Sequence, residues 1–286
     1  MDTQKYEILL RAIQNGSLSK TALDMGYTQS GVTHIIRSIE DHLDVKILDR
    51  SYAGVTLTPD GERLYPLIRA ICLADSQLQE AVNEIRGLHV GVIRVGAFSS
   101  ISTLILPYLF QRMEQKYPGI EFEIRQGHYT EIQKWLLDGT VDVGFMGGPI
   151  SHKLRSMPLL TDRLLVLLPR GHALEHKEKI HPEDLSPYPF ILLDEGDENE
   201  IEIFLRRSDI SPRIRCRVKD DYTVMALVEA GLGIGILHEL ILMDNRFDLV
   251  LRDMDPPLYR DIKVVYPPNG NNPNLVQKFI EELKAL

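Results

Sequence analysis

Apolar positions recur at helical spacing from the start of the chain. Ile8, Leu9, Ala12 and Ile13 share one face, and Asn15-Gly16 supplies a C-terminal stop. Ser17 is placed to cap a short second helix carrying Leu18, Ala22, Leu23 and Met25, with Gly26 as a tight turn. Thr28 caps a third helix. Its buried face is Val32, Ile35, Ile36, Ile39 and Leu43, and its polar face is Gln29, Ser30, Thr33, His34 and Arg37. A different period follows. Leu64, Leu67, Ile71, Ala74, Leu78, Ala81 and Ile85 are spaced three, four, three, four, three, four, a seam of about three heptads that Ile68 and Val82 widen. Thr58 as N-cap and Pro59 at the first position start this helix, Pro66 is expected to kink it, and Gly87 and Gly91 place a linker at 87–91. One narrow apolar stripe on so long a helix calls for a partner helix. The alternative is an amphipathic helix packed on its own domain.

Beyond the linker, short apolar runs alternate with helical stretches. Strands are predicted at Ile93–Ala97, Glu121–Gln126 and Val141–Phe145, with helices from about Thr103 to Tyr117 and Ile132 to Leu137. A second series has strands near Leu164–Leu168, Phe190–Leu193, Ile214–Val218 and Ile234–Leu237. This alternation implies a largely parallel sheet flanked by helices. Ligands of such sheets sit beyond the carboxyl ends of strands, where Phe98-Ser99-Ser100 offers hydroxyls and backbone N–H groups.

Length and composition set bounds. A chain of 286 residues that is 44% hydrophobic and 26% charged suggests two or three domains with their own cores. Its net charge of -9 by itself argues against a nucleic-acid binder, although a local basic face remains compatible with an acidic chain. No apolar stretch follows a basic start, and runs such as Leu164–Leu168 are far short of a membrane span, so a cytoplasmic protein without membrane contact is expected. Cys72 and Cys216 lie far apart without metal-ligand spacing.

Enzyme signatures are weak. His172-Ala173-Leu174-Glu175-His176 matches the H-x-x-E-H pattern of inverted zinc peptidases, but it lies between Pro169-Arg170-Gly171 and Lys177-Glu178-Lys179, in a polar loop. Gly231-Leu232-Gly233-Ile234-Gly235 lacks dinucleotide spacing, and neither Ser99 nor Ser100 lies in a G-x-S-x-G elbow. No catalytic residue, metal or cofactor is expected.

The N-terminal pattern is helix, turn, helix, with a hydrogen-bonding face on the last helix. Such a helix fits the major groove, where Gln29 suits adenine and Arg37 suits guanine or a phosphate. A small helical bundle with a solvated polar face is equally compatible. Charge does not decide, because residues 1–60 hold six Lys/Arg and eight Asp/Glu.

The ordered motifs Gly16-Ser17-Leu18-Ser19-Lys20-Thr21-Ala22-Leu23, Thr28-Gln29-Ser30-Gly31-Val32-Thr33 and Ile39-Glu40-Asp41-His42-Leu43, with Arg50 and Leu57-Thr58-Pro59-Asp60-Gly61, resemble the LysR-type transcriptional regulators. So do Asp138-Gly139-Thr140-Val141-Asp142-Val143-Gly144 and the segment Leu227–Gly235. Thr21, His34, Asp44 and Leu48 depart from the usual pattern. Thr21 and Leu48 are expected to be packing variants, Asp44 to strain a turn that glycine usually makes, and His34 to alter base preference.

The resemblance implies an α+β protein: a winged helix-turn-helix at 1–58, a dimerisation helix at 59–88, and a two-lobed α/β effector domain at 89–286, similar to periplasmic binding proteins. Wing strands fall at Lys46–Asp49 and Val55–Thr58, turning at Tyr52-Ala53-Gly54. Lobe I takes about 91–161 and 267–286, and lobe II about 162–266. Implied DNA contacts are Ser17, Thr28, Gln29, Ser30, Thr33, His34, Arg37 and Arg50. Implied effector contacts are Ser99, Ser100, Thr103, His128, Met146, Gly147, Asp194, Glu195 and Tyr222. For the serines helix capping is the competing role, and for His128 a structural hydrogen bond. The run Asp194-Glu195-Gly196-Asp197-Glu198 is either a solvated loop or a cleft wall favouring a neutral or cationic effector. Expected partners are double-stranded DNA, a small effector, a second copy through residues 58–88, a homotetramer and RNA polymerase. A solute-binding protein whose N-terminal helices serve only assembly is the alternative function.

Overall fold

The computed structural model describes residues 3–51, 54–86, 90–194, 200–208, 210–243 and 246–286. They form two compact units, one of Met1–His89 with Gly270–Asn274, the other of Val90–Asn269 with Leu275–Leu286.

In the smaller unit α1 (Thr3–Asn15), α2 (Leu18–Met25) and α3 (Gln29–Leu43) enclose a core around Leu9, Ala12, Val32, Ile36 and Ile39. Local chemistry sets their ends. Ser17 Oγ accepts from the Lys20 N–H at 3.3 Å and Thr28 Oγ1 from the Gly31 N–H at 3.0 Å, while Gly26 takes a left-handed φ of 70°. Asp44 adopts the left-handed conformation that closes α3, at φ 52°. Thr21 and Leu48 are buried, and the Thr21 hydroxyl donates to the Ser17 carbonyl at 2.8 Å.

A hairpin follows, β1 (Leu48–Ser51) and β2 (Gly54–Leu57), with Leu48 opposite Leu57. Its first strand starts two residues later than expected. The cause is Glu40, buried on α3, whose Oε1 accepts from the Ile47 and Leu48 N–H groups at 2.9 and 3.0 Å. The carbonyls of Lys46 and Ile47 in turn take the Thr58 hydroxyl and N–H, so this stretch ties α3 to the next helix and not to the hairpin. Gly54 belongs to β2; Tyr52 and Ala53, expected in the turn, lie outside the described residues.

Helix α4 (Pro59–Ile85) is capped by Thr58, which accepts from the Gly61 N–H at 2.9 Å. Gly61 passes so close to the Ile47 carbonyl that a Cβ there would collide with backbone. Leu64, Ile68 and Cys72 pack on the helix-turn-helix core, so Ile68 joins that core instead of widening the seam. Beyond Leu64 the large residues of the seam are bare: Leu67, Ile71, Leu78 and Ile85 are 61%, 45%, 59% and 86% exposed.

The larger unit contains β3 (Val90–Ala97), α5 (Ser99–Leu104), α6 (Leu106–Lys116), β4 (Gly119–Gln126), α7 (Tyr129–Leu137), β5 (Val143–Met146) and β6 (Arg155–Pro169). Gly91 lies inside β3 and not in a linker; Gly87 lies outside the described residues. Helix begins at Ser99, four residues before the expected start, and is interrupted at Ile105, because Pro107 cannot donate a hydrogen bond within a continuous helix. Then come β7 (Lys179–Ile180), α8 (Pro182–Leu185), β8 (Pro189–Leu193), α9 (Glu200–Arg207), β9 (Arg213–Val218) and α10 (Asp221–Glu229). The last elements are β10 (Ile234–His238), α11 (Glu239–Leu242), β11 (Leu249–Met254), β12 (Tyr259–Tyr266) and α12 (Pro273–Lys284).

Strand β6 joins two lobes. Residues 155–163 pair with β12 in the order β4-β3-β5-β12-β6, and residues 164–169 pair with β10 and β11 in a second sheet that continues through β8 to β9. Pairs β3–β4, β3–β5, β8–β9 and β8–β10 are parallel, as the alternation predicted. The crossings correct the expected boundaries. The chain leaves lobe I between Arg163 and Leu164 and re-enters before Tyr259, so 259–266 belongs to lobe I and not to lobe II. Each lobe has its own apolar core, one around Phe145, Val264 and Phe279, the other around Val166, Phe190 and Ile236.

Candidate functional site

Two surfaces bring polar groups together. On α3, Gln29, Ser30, His34 and Arg37 are exposed along one face. Thr33 is half-buried, and its hydroxyl donates to the Gln29 carbonyl at 2.8 Å. Ser17 and Thr28 spend their side chains as caps, with Thr28 also exchanging a 3.1 Å hydrogen bond with Ser30. Arg50 lies on β1, with its guanidinium 3.8 Å from Glu40. The core fixes the helix while its outer face carries donors and acceptors of the kind that base edges present.

The second surface lies between the lobes of the larger unit, at the carboxyl ends of the parallel strands. Ser99 and Ser100 follow β3, Gly147 follows β5, and Tyr129 opens α7 after β4. From lobe II come Glu200 at the start of α9, Asp221 at the start of α10, and His238 at the end of β10. The crossing strands add Asp162 and Arg260. Arg260 is 3% exposed and binds Asp162 Oδ2 through Nε and Nη2 at 3.1 and 2.7 Å. Nη2 also donates to Ser100 Oγ at 2.8 Å, Nη1 reaches the Tyr129 hydroxyl at 3.4 Å, and the guanidinium lies 4.5 Å from the centre of the Phe98 ring. The other Asp162 oxygen accepts from the Leu240 N–H at 3.0 Å. A buried ion pair of this kind persists because its remaining lone pairs and protons are satisfied.

Glu200 reaches across to lobe I. A Cβ on Gly147 would lie 2.8 Å from Glu200 Oε1 and 2.9 Å from the Tyr129 hydroxyl, so any larger residue there would displace these side-chain ends. Glu200 Oε2 faces His238 Nε2 at 3.8 Å. Burial is the largest influence on the Glu200 carboxyl and would raise it, but its contacts with His238 and the Arg260 guanidinium hold it below its ordinary value. Burial pushes the Asp221 carboxyl up, against the opposing pull of His238, a hydrogen bond from Ser99, and Arg260.

The predicted effector residues divide. Ser99, Ser100 and Gly147 join this network. Thr103 points its hydroxyl back to the Ser99 carbonyl at 2.9 Å. His128 caps α7 through its N–H to Glu131 at 3.0 Å, and the adjacent Tyr129 is the residue that meets Arg260. Met146 is 1% exposed and packs within the lobe I core. Asp194 donates its N–H to the Val218 carbonyl, and Glu195 lies outside the described residues. Tyr222 is 41% exposed, and the preceding Asp221 is the one turned inward.

Comparison with known proteins decides between the two functional readings. The model described as "Bacterial regulatory helix-turn-helix protein, lysR family" matches residues 3–62, and that described as "LysR substrate binding domain" matches residues 86–286. The chain belongs to the LysR family. Among curated relatives, HTH-type transcriptional regulator YvbU of Bacillus subtilis is 28% identical, covering 100% of this chain and 99% of that protein. ShiR of Corynebacterium glutamicum is 29% identical over 82% of each. Among solved structures, a full-length single-residue variant of OxyR from Pseudomonas aeruginosa superposes with a TM-score of 0.77 at 18% identity, over 99% of this chain and 95% of that one. CbnR complexed with its target DNA gives 0.57 at 20% identity, over 100% and 99%. These structures share the fold.

As a LysR-type protein the chain is a DNA-binding transcriptional regulator with a substrate-binding effector domain. The solute-binding alternative gains no support, since these relatives are regulators and not enzymes or carriers. The H-x-x-E-H match has a structural use: Glu175 accepts from the Gly171 N–H at 2.6 Å, and His172 packs on Tyr188 with ring centres 4.4 Å apart. Among the described residues no cluster of His, Cys, Asp and Glu is arranged to hold a metal, and no helix is long and apolar enough to cross a membrane.

Arg260, Asp162, His238, Glu200, Asp221 and Tyr129 were missed by sequence reasoning. Two of them carried a signal. In Arg260-Asp261-Ile262-Lys263-Val264 the arginine is in phase with inward-facing Ile262 and Val264, and Asp162 is in phase with Leu164, Val166 and Leu168. A charged residue on the inward phase of an alternating strand is a buried charge by construction.

Proposed function

We propose that this LysR-type regulator binds double-stranded DNA as a homodimer formed through residues 58–88, assembles further into a homotetramer, and changes its DNA contacts when a small molecule binds between the lobes. The observation that carries this reading is the exposed seam of α4. Four large apolar side chains on one heptad stripe are unsatisfied by their own unit, and a second copy of the helix covers them. Two copies of α3 are then presented to successive major grooves, where Gln29, Ser30, His34 and Arg37 read bases and Ser17, Thr28, Thr33 and Arg50 hold the backbone. The effector is held from lobe I by Ser99, Ser100, Tyr129 and Gly147 and from lobe II by Glu200, Asp221 and His238. Residues Thr103, His128, Asp194 and Tyr222 form the rim. The protein acts in the cytoplasm and works through contact with RNA polymerase.

Footprinting on DNA immediately upstream of the protein's own gene, with and without a panel of metabolites, tests this. A dyad-symmetric protected site that changes with one metabolite is the expected result. An unchanged footprint at saturating effector overturns the coupling, because an effector shifts an equilibrium only by its differential affinity for the two states.

A further inference from the structure

The charged groups of the cleft differ in how well they are used. Arg260 engages Asp162, Ser100 and Tyr129 and stacks on Phe98, so its polar atoms and one face are already occupied. A ligand carboxylate would have to break this buried set, and would meet the carboxylates of Asp162, Glu200 and Asp221.

The lobe II side is the opposite case. Glu200 Oε2 and His238 Nε2 are both buried and neither has a hydrogen-bond partner among the described residues. They face each other at 3.8 Å, too far for a hydrogen bond. His238 is 1% exposed, so its ring is shielded from bulk solvent. Asp221, 6% exposed, lies within reach of the same histidine and of Ser99. Buried polar atoms left without partners mark a place where a further group belongs. The group must donate several hydrogen bonds and carry positive charge to suit two carboxylates, and an ammonium does both with three N–H donors.

We propose, resting on the effector reading above, that the cleft takes a small ligand through a protonated amine, held by Glu200 and Asp221 and oriented by His238. Gly147 fits this role, because the absence of a side chain lets Glu200 sit against lobe I beside Tyr129. Both carboxylates come from lobe II while Ser99 and Tyr129 come from lobe I, so an amine bound here draws on both lobes.

The test is thermal unfolding and titration calorimetry on the full-length protein. The probes are 1,4-diaminobutane, L-lysine and ethanolamine, set against 1,4-butanediol, succinate and 2-oxoglutarate. At least one amine is expected to raise the melting temperature and to bind with measurable heat, while the uncharged diol does neither. Glu200→Gln and Asp221→Asn, each checked for a cooperative transition of its own, are expected to weaken that amine at least tenfold. A double variant serves if one carboxylate compensates for the other. The proposal is overturned if no amine shifts the transition, or if the shift persists in the double variant. An outcome in which only the acids bind, and lose their effect in Ser100→Ala, overturns the amine assignment while leaving the effector cleft standing. Binding of either class that survives all these variants counts against the cleft itself.

Discussion

Two buried carboxylates show how single residues organise each unit. Glu40 accepts from two backbone N–H groups, at Ile47 and Leu48, that neither a helix nor the hairpin satisfies. Removing it as Glu40→Ala leaves both donors buried, at roughly 1–3 kcal/mol each. The expected loss is therefore about 2–6 kcal/mol, read from denaturant unfolding, and Glu40→Gln should recover part of it because its carbonyl still accepts. Asp162 is the partner of a guanidinium that is 3% exposed. Asp162→Ala strands that charge, which typically costs about 3–5 kcal/mol, whereas replacing both Asp162 and Arg260 with apolar residues should cost much less than the single change. A double variant no more stable than the single one would show that the pair is not the source of the loss.

Among the elements, what could be read in advance follows from periodicity. The three N-terminal helices and the α4 seam were legible because buried residues repeat at about 3.6 or 3.5 and the caps Ser17, Thr28 and Thr58 are chemically explicit. The parallel strands around Val95, Val143 and Phe190 were legible as short apolar runs. Strand β12 was not, because Tyr259, Arg260, Asp261 and Lys263 give it a polar composition, and its alternation emerges only if an arginine is allowed to point inward. The cleft was legible only at the serines and Gly147. The residues that complete it come from strand and helix ends far apart in sequence, and no local pattern brings Glu200, Asp221 and His238 together. The exposed stripe of α4 carries its own prediction. Ile71→Asp with Leu78→Asp should convert dimer to monomer in sedimentation at micromolar concentration and leave helix content unchanged, because both side chains are already solvent-facing within one chain. Retention of the dimer would place the subunit contact elsewhere.

At the scale of the whole molecule, the division into two units with separate cores makes stability separable. The smaller unit buries its own apolar cluster around Leu9 and Ile36, and the larger one closes two clusters joined through β6 and β12. Multidomain chains of this kind depart from a single two-state transition, so calorimetric unfolding should resolve two. Glu40→Ala should lower only one of them and Asp162→Ala only the other, since each carboxylate serves a different core. A ligand in the cleft raises a transition by RT ln(1 + [L]/Kd), and should therefore lift the Asp162-sensitive transition while the Glu40-sensitive one stays in place. The informative case is the protein on its operator. If both transitions rise when only the effector is added to the DNA complex, the two units exchange free energy and the size of the second shift measures the coupling. If the Glu40-sensitive transition stays fixed with DNA and effector both bound, regulation must work through assembly of copies and not through the stability of the DNA-reading unit.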